Sequence, residues 1–201
     1  MGKVNRLIDD FQRRNPGRRL TRLTPPMEDE FNNKKVLTCN RIPPLHVYNV
    51  AGDGNCFYRS ISHIITGTDK YHGTLRTLAA DYLAREDPND PESLIHFAAV
   101  EDRSVSVEDA RAQVVREMAT DRTKANNLDL RVMASMLELK VVVYMPIAEG
   151  GHGNEYSWAE YRPKPGVNPI SVGDGFYIYW CGMALERGPN PNHFVVVKTV
   201  A

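Results

Sequence analysis

Cysteine is scarce in this sequence: Cys39, Cys56 and Cys181 are the only three in 201 residues. An odd, sparse set argues against a disulfide framework and points to a reducing compartment. No two of the three have CxxC spacing, and none has a histidine two positions on, so a zinc site is not expected. Charge of one sign is not in excess. Lys and Arg total 25 and Asp and Glu total 25, so no global field favours nucleic acid or a membrane surface. No apolar run approaches the ~20 residues of a membrane span. The opening "MGKVNRLIDDFQRRN" lacks the continuous apolar core of a secretory signal. "MGKVNR" also lacks the Ser or Thr that closes a myristoylation motif. What remains is the composition of a globular chain, 42% hydrophobic and 25% charged, long enough for one domain with a sizeable core. A cytoplasmic monomer is expected, or one in the host cytosol if the source is a pathogen.

Charge is uneven locally. Lys3, Arg6, Arg13, Arg14, Arg18, Arg19 and Arg22 are opposed only by Asp9 and Asp10 before Thr24. Val4, Leu7, Ile8 and Phe11 in the same stretch have helical spacing. Residues 1–35 therefore read as a basic amphipathic helix and a polar linker, and residues 36–201 as the domain proper. The plain role for the arm is a docked helix with a solvated basic face, and contact with an anionic partner is the other.

The domain changes character along its length. After a short extended segment in "RIPPLHVYNVAGDG", the residues Phe57, Ser60, Ile61, Ile64 and Ile65 suit a buried helix from Asn55 or Cys56, ended by Gly67. Leu75, Leu78, Ala79, Tyr82 and Leu83 mark a second helix, ended by Asp87-Pro88. Asp90-Pro91 is expected to start a third that runs through Phe97. Ser106 and Asp109 have capping-box spacing for a fourth, to about Met118. Asn127 is expected to cap a fifth through Leu137. Then come β-rich runs, "LKVVVYM", "EYSWAEYR", "GFYIYW" and "HFVVVK", separated by Gly/Pro-rich loops. Helices followed by strands indicate an α+β fold, not alternating βαβ units.

The chemistry concentrates at "GDGNCFYRS", Gly52–Ser60. A cysteine in the first turn of a helix faces free backbone N–H groups that favour negative charge. A free thiol has a pKa of about 8.5, so lowering it to about 6 requires roughly 3.4 kcal/mol. A helix terminus supplies about 0.3–1 kcal/mol and at most about 2, so a second group is needed, and a histidine is the obvious one. Gly52 and Gly54 permit φ > 0 and close approach of the backbone. The N–H groups of Asp53, Gly54, Asn55 and Cys56 are thus candidates for an oxyanion loop, with the Asn55 side chain as a further donor and Asp53 as a brace. A turn followed by a small buried hydrophobe is the plainer reading of the same residues. Among six histidines, His63 lies on the cysteine's own helix and His152 in the glycine-rich "EGGHGN". His193 follows "ERGPNPN" and opens the strand "HFVVVK", a rigid place from which to present a base.

"DGNCFYRSIS" resembles the nucleophile motif of the ovarian tumour (OTU) family of cysteine proteases, which act as deubiquitinases. The likeness continues in order through "GTLRTLAADYLA", "MATDRTKANNLDLRVMASMLELKVVVYMP" and "NHFVVVK", from about Val47 to Lys198. It implies a papain-like α+β fold, with helices packed around a small mixed or antiparallel sheet. It also implies thiol attack on the isopeptide bond after ubiquitin's C-terminal glycine, with no metal or organic cofactor. It carries over Cys56 as nucleophile, His193 as general base and Asp53 as a residue of the oxyanion loop. Many members orient the histidine with Asp or Asn two residues on; here that residue is Val195. Asn192 and Asn49 are the candidates to replace it, and a Cys–His dyad is the other arrangement.

The implied partner is ubiquitin or polyubiquitin, with ubiquitin-like modifiers not separated from it. Glu86 to Asp109 is strongly acidic, and Glu101 and Asp102 are expected to meet a basic ubiquitin face. A solvated helical face explains the same charges. Trp158, Tyr177, Tyr179 and Trp180 read first as strand core, and one of them as a flank of the tail groove. Two other functions stay open: an inactive ubiquitin-binding module, and a viral or bacterial protease acting on another peptide.

Overall fold

In the computed structural model, residues 44–99, 106–146, 156–165, 175–181 and 193–200 are described. The basic arm, the linker and the 35/36 boundary, together with Glu101, Asp102, His152 and Asn192, lie outside them. The apolar stripes within the described residues build five helices and five strands. The helices are α1 Cys56–Thr66, α2 His72–Ala84, α3 His96–Ala99, α4 Val107–Ala119 and α5 Asn127–Leu137. The strands are β1 Pro44–Tyr48, β2 Lys140–Pro146, β3 Tyr156–Tyr161, β4 Gly175–Cys181 and β5 His193–Val200. Among the described residues no helix is long and apolar enough to cross a membrane.

The strands form one sheet in the order β1-β5-β4-β2-β3. β2 and β4 pair parallel and the other neighbours antiparallel, so the fold is α+β with a mixed sheet. The helices cover one face. Phe57, Tyr58 and Ile61 of α1, Leu83 of α2, and Leu130 and Met133 of α5 are completely or almost completely buried. They join Val141, Val143, Phe176, Ile178 and Phe194 from the sheet in the main core. Each fully buried Phe, Leu or Ile contributes about 1.5–3 kcal/mol of gross burial energy. Side chains alternate across a strand, so Val47, Tyr144, Tyr179 and Val195 form a second buried cluster, flanked by Trp158 and Val197.

Local signals set the helix ends. Gly67 takes φ 73° and donates its N–H to the His63 carbonyl, the left-handed stop that favours glycine. Two starts differ from expectation. The helix expected at Asp90-Pro91 begins only at His96. The Asp90 side chain instead accepts from the Glu92 N–H at 2.9 Å, and its carbonyl from the Ser93 N–H at 2.9 Å. Local Asp-to-backbone bonds of this kind compete with a helix, and the buried Glu86 carboxylate captures the Leu94 N–H at 3.3 Å. At α5 the cap is Asn126, not Asn127. Its Oδ1 accepts from Leu128 and Asp129 N–H, and Asp129 returns the bond to the Asn126 N–H. The Asp three residues on closes a capping box for Asn126 that it cannot close for Asn127.

Candidate active site

Cys56 is the first residue of α1 and is 3% exposed. The loop before it is held by three side chains. Asp53 Oδ1 accepts from the Asn55 N–H at 3.0 Å. The same carboxylate takes the Arg59 guanidinium at 2.7 Å, and Arg59 reaches on to Asp69 at 3.0 Å. Because Arg59 lies one turn into α1, the pair ties the loop to the helix it feeds. Arg59 holds the Asp53 carboxyl far below the usual carboxylate range, against a smaller opposing effect of burial.

Asn55 is 1% exposed and its side chain makes three hydrogen bonds. Its Nδ2 donates to Asp121 at 2.9 Å, and its Oδ1 accepts from Arg76 Nε at 3.1 Å and from the Arg122 N–H at 3.2 Å. These bonds make the amide a brace of the loop and leave one of its two N–H donors for other use. The Asn55 backbone N–H is taken by Asp53. Gly54 has φ 87°, and a Cβ there would lie 1.9 Å from the Arg122 carbonyl oxygen. Both facts require glycine. The turn it packs against is itself unusual, since Arg122 has φ 64°.

β5 brings the far end of the chain to the thiol. The Phe194 N–H donates to Cys56 Sγ at 3.4 Å, within reach for sulfur. The Phe194 ring meets Phe57 edge-on at 5.4 Å and stacks on Trp180 at 5.3 Å. This packing fixes β5 against α1. His193 immediately precedes Phe194, so its Cα lies two bonds from the nitrogen that touches the sulfur. The His193 ring is buried, and its Nε2 lies 2.8 Å from Asn49 Oδ1. An amide oxygen only accepts, so Nε2 carries the proton and Nδ1 holds the lone pair. Among the described residues that buried Nδ1 meets no partner in hydrogen-bond geometry, although the Val50 backbone lies close enough to favour the protonated ring.

The register explains why Asn49 reaches this ring. Val47 pairs with Val197 and Tyr48 with Val196, so the next step sets Asn49 opposite Val195. His193, Val195 and Asn49 share one face by the period-two rule. Diagonal neighbours across an antiparallel pair are within side-chain reach. Val195 is 2% exposed among Tyr144, Tyr179 and Val47. A polar group there would be buried in the second core, whereas Asn49, just past the end of β1, is exposed.

Burial dominates the resting electrostatics. It pushes the Cys56 thiol above its ordinary value, while the backbone N–H groups of Phe194, Phe57 and Cys56 pull the other way and lose. Burial also lowers the His193 imidazole, with the Val50 backbone and Asp53 opposing. Both effects of burial favour the neutral forms, thiol and imidazole, over an ion pair.

The structure brings together Cys56, His193, Asn49 and the loop Asp53–Asn55. It separates Trp158 and Tyr179, which lie in the second cluster, from Trp180, which stacks on Phe194 beside the thiol. Sequence reasoning missed Arg76, Asp121 and Arg122. Arg76 carried a readable signal. It stands on one stripe with Ala79, Ala80 and Leu83, all buried, at i+3, i+4 and i+7. A charge on a core stripe needs partners.

Comparison with known proteins follows the same lines. The OTU-like cysteine protease family matches residues 51–169, a span that takes in the nucleophile loop and ends before β5. No curated protein matches. Among solved structures, the OTU domain of OTUD1 superposes with a TM-score of 0.54 at 19% identity, covering 77% of this chain and 85% of that one. The viral OTU domain protease from Farallon virus gives 0.52 at 19%, covering 78% and 84%. That from Dera Ghazi Khan virus gives 0.53 at 14%, covering 81% and 87%. At such identities the superpositions speak for the fold alone, and the family match covers more than half of the 201 residues. The chain belongs to the OTU-like cysteine protease family.

Proposed function

We propose that this protein is a thiol-dependent deubiquitinase, cleaving the isopeptide bond after the last glycine of ubiquitin or a ubiquitin-like modifier. The observation that carries the reading is the convergence of Cys56, Phe194 and His193, with Asn49 on the far side of the ring. Asn49 fixes the tautomer that leaves the Nδ1 lone pair for the thiol proton. Cys56 is the nucleophile, His193 the general base and Asn49 the orienting residue.

Burial favours the neutral thiol and the neutral imidazole, so in this reading proton transfer accompanies attack. Sγ bonds to the substrate carbonyl carbon as the thiol proton passes to His193. The carbonyl electron pair moves onto oxygen and is met by loop N–H groups. On collapse the C–N bond breaks, and the imidazolium proton leaves with the lysine amine. Water then gives a proton to His193 and attacks the thioester. The S–C bond breaks, and the proton returns to sulfur. Asp53 serves the step by holding the loop. We assign Glu101 and Asp102 to the surface that meets a basic face of ubiquitin. Reversing both to Lys is expected to raise KM for ubiquitin substrates, and unchanged kinetics would remove them from it.

The test is a panel of diubiquitins and ubiquitin-like fusions, incubated with wild type and Cys56→Ala. Cleavage by wild type alone supports the reading. Binding without cleavage would make the protein an inactive ubiquitin-binding relative. Cleavage of other peptides but no ubiquitin substrate would assign it to a different protease class.

A further inference from the structure

Arg76 is 2% exposed, and among the described residues no carboxylate hydrogen-bonds to it. Its guanidinium serves four oxygen atoms, two in the nucleophile loop and two in the segment from the last turn of α4 to Thr123. Nε reaches Asn55 Oδ1 at 3.1 Å, Nη1 the Met118 carbonyl at 2.9 Å, and Nη2 the carbonyls of Gly54 at 3.2 Å and Thr123 at 2.7 Å. Its face covers the Tyr58 ring at 4.4 Å. Tyr58 in turn donates to Asp129 at 2.6 Å, which places the balancing carboxylate at the start of α5. An apolar side chain in place of Arg76 would leave those oxygen atoms without their donor. What Arg76 does uniquely is bond two segments at once, in directions only a planar fork supplies.

We propose that Arg76 is a positioning residue for the nucleophile loop, clamping Gly54 and Asn55 to the turn at 118–123. The inference rests on the acyl-transfer reading above and deepens it. Two further hydrogen bonds, from Asn55 Nδ2 to Asp121 and from the Arg122 N–H to Asn55 Oδ1, join the same segments, and the Gly54 backbone lies close against the Arg122 carbonyl. Oxyanion donors act only when fixed before the charge develops. Arg76 touches neither Cys56 nor His193 in any hydrogen bond of the described residues. Its influence is therefore on the aim of the loop and not on the nucleophilicity of the thiol. The same turn ends α4, so a partner bound along α4 meets the element that the clamp grips.

Those two properties are separable by experiment. Alkylation of Cys56 by iodoacetamide is a displacement that develops no oxyanion, whereas isopeptide cleavage develops one. Arg76→Lys keeps the charge but loses the fork. For that variant, kcat on diubiquitin is expected to fall about 100-fold with KM and the alkylation rate within about twofold of wild type. Glu86→Gln is the control, since Glu86 is also buried but is held by Lys164 and the Leu94 N–H, away from the loop. It is expected to lower the melting temperature without lowering kcat. Three results overturn the proposal: unchanged kcat in Arg76→Lys, equal losses in both variants, or a loss that tracks faster alkylation through unfolding. If wild type cleaves no ubiquitin substrate, the deubiquitinase reading fails and amide hydrogen exchange still decides the clamp. Faster exchange at Gly54–Cys56 in Arg76→Lys, and not in Glu86→Gln, supports it; unchanged exchange there overturns it.

Discussion

Val195 stands where a polar residue would orient His193, but it is committed to a buried cluster with Tyr144, Tyr179 and Val47. The amide beside the ring is that of Asn49, just past the end of β1 and 144 positions away in sequence. Asn49→Ala is therefore expected to cut kcat by about tenfold or more with little change in KM, because an orienter acts on the base and not on substrate binding. Asn49→Asp, which keeps the acceptor, should retain more. Equal activity in the alanine variant would leave His193 in a dyad. The thiol offers a second residue-level prediction. Since burial pushes Cys56 up, the midpoint of its alkylation pH profile should lie above the ~8.5 of an ordinary thiol. A plateau near neutrality would mean a preformed thiolate. Asp53 gives a third. Its folded carboxyl is depressed by Arg59, so the contribution to stability is complete above the ordinary value of about 3.9 and fades as pH falls below it. Urea unfolding of wild type should lose more stability between about pH 5 and pH 3 than unfolding of Asp53→Asn.

At the scale of elements, the loop before α1 depends on backbone geometry more than on side-chain chemistry. Gly54→Ala would add a Cβ at φ 87° and drive it into the Arg122 carbonyl. The variant should lose at least about 1–3 kcal/mol in chemical denaturation, the usual range for a strained backbone site. A neutral result would mean that the turn at 118–123 gives way freely. The elements also show what is legible in a sequence. α1 and its glycine stop were readable because Phe57, Ile61, Ile65 and Gly67 state both period and end. So were the four β-rich runs, whose alternation survives in the two clusters that they bury. The start at Asp90-Pro91 was not, because an Asp that caps a helix and an Asp that closes a turn look alike until Glu86 is seen to bind Leu94. Arg76 went unassigned for a similar reason: a sequence shows a charge on a core stripe but not the four oxygen atoms that receive it.

Over the whole molecule, the candidate site is assembled from distant parts of the chain. The family match runs from 51 to 169 and so contains the nucleophile loop, Arg76 and the bracing turn. The histidine and the asparagine lie beyond its two ends. Cys56 could be singled out locally, from a turn and a helix start. His193 was reached through the ordered resemblance, and the sheet is what sets Asn49 beside it. β1 and β5 are neighbours only because the strand order is β1-β5-β4-β2-β3, which no single segment encodes.

The central claim is that Cys56 is the nucleophile of a ubiquitin-directed protease. The most direct measurement is intact mass after incubation with ubiquitin propargylamide, followed by peptide mapping of the modified residue. The account predicts one ubiquitin added per chain, attached at Cys56, and no adduct in Cys56→Ala. A wild-type protein that stays unmodified, or an adduct that persists without Cys56, would contradict it.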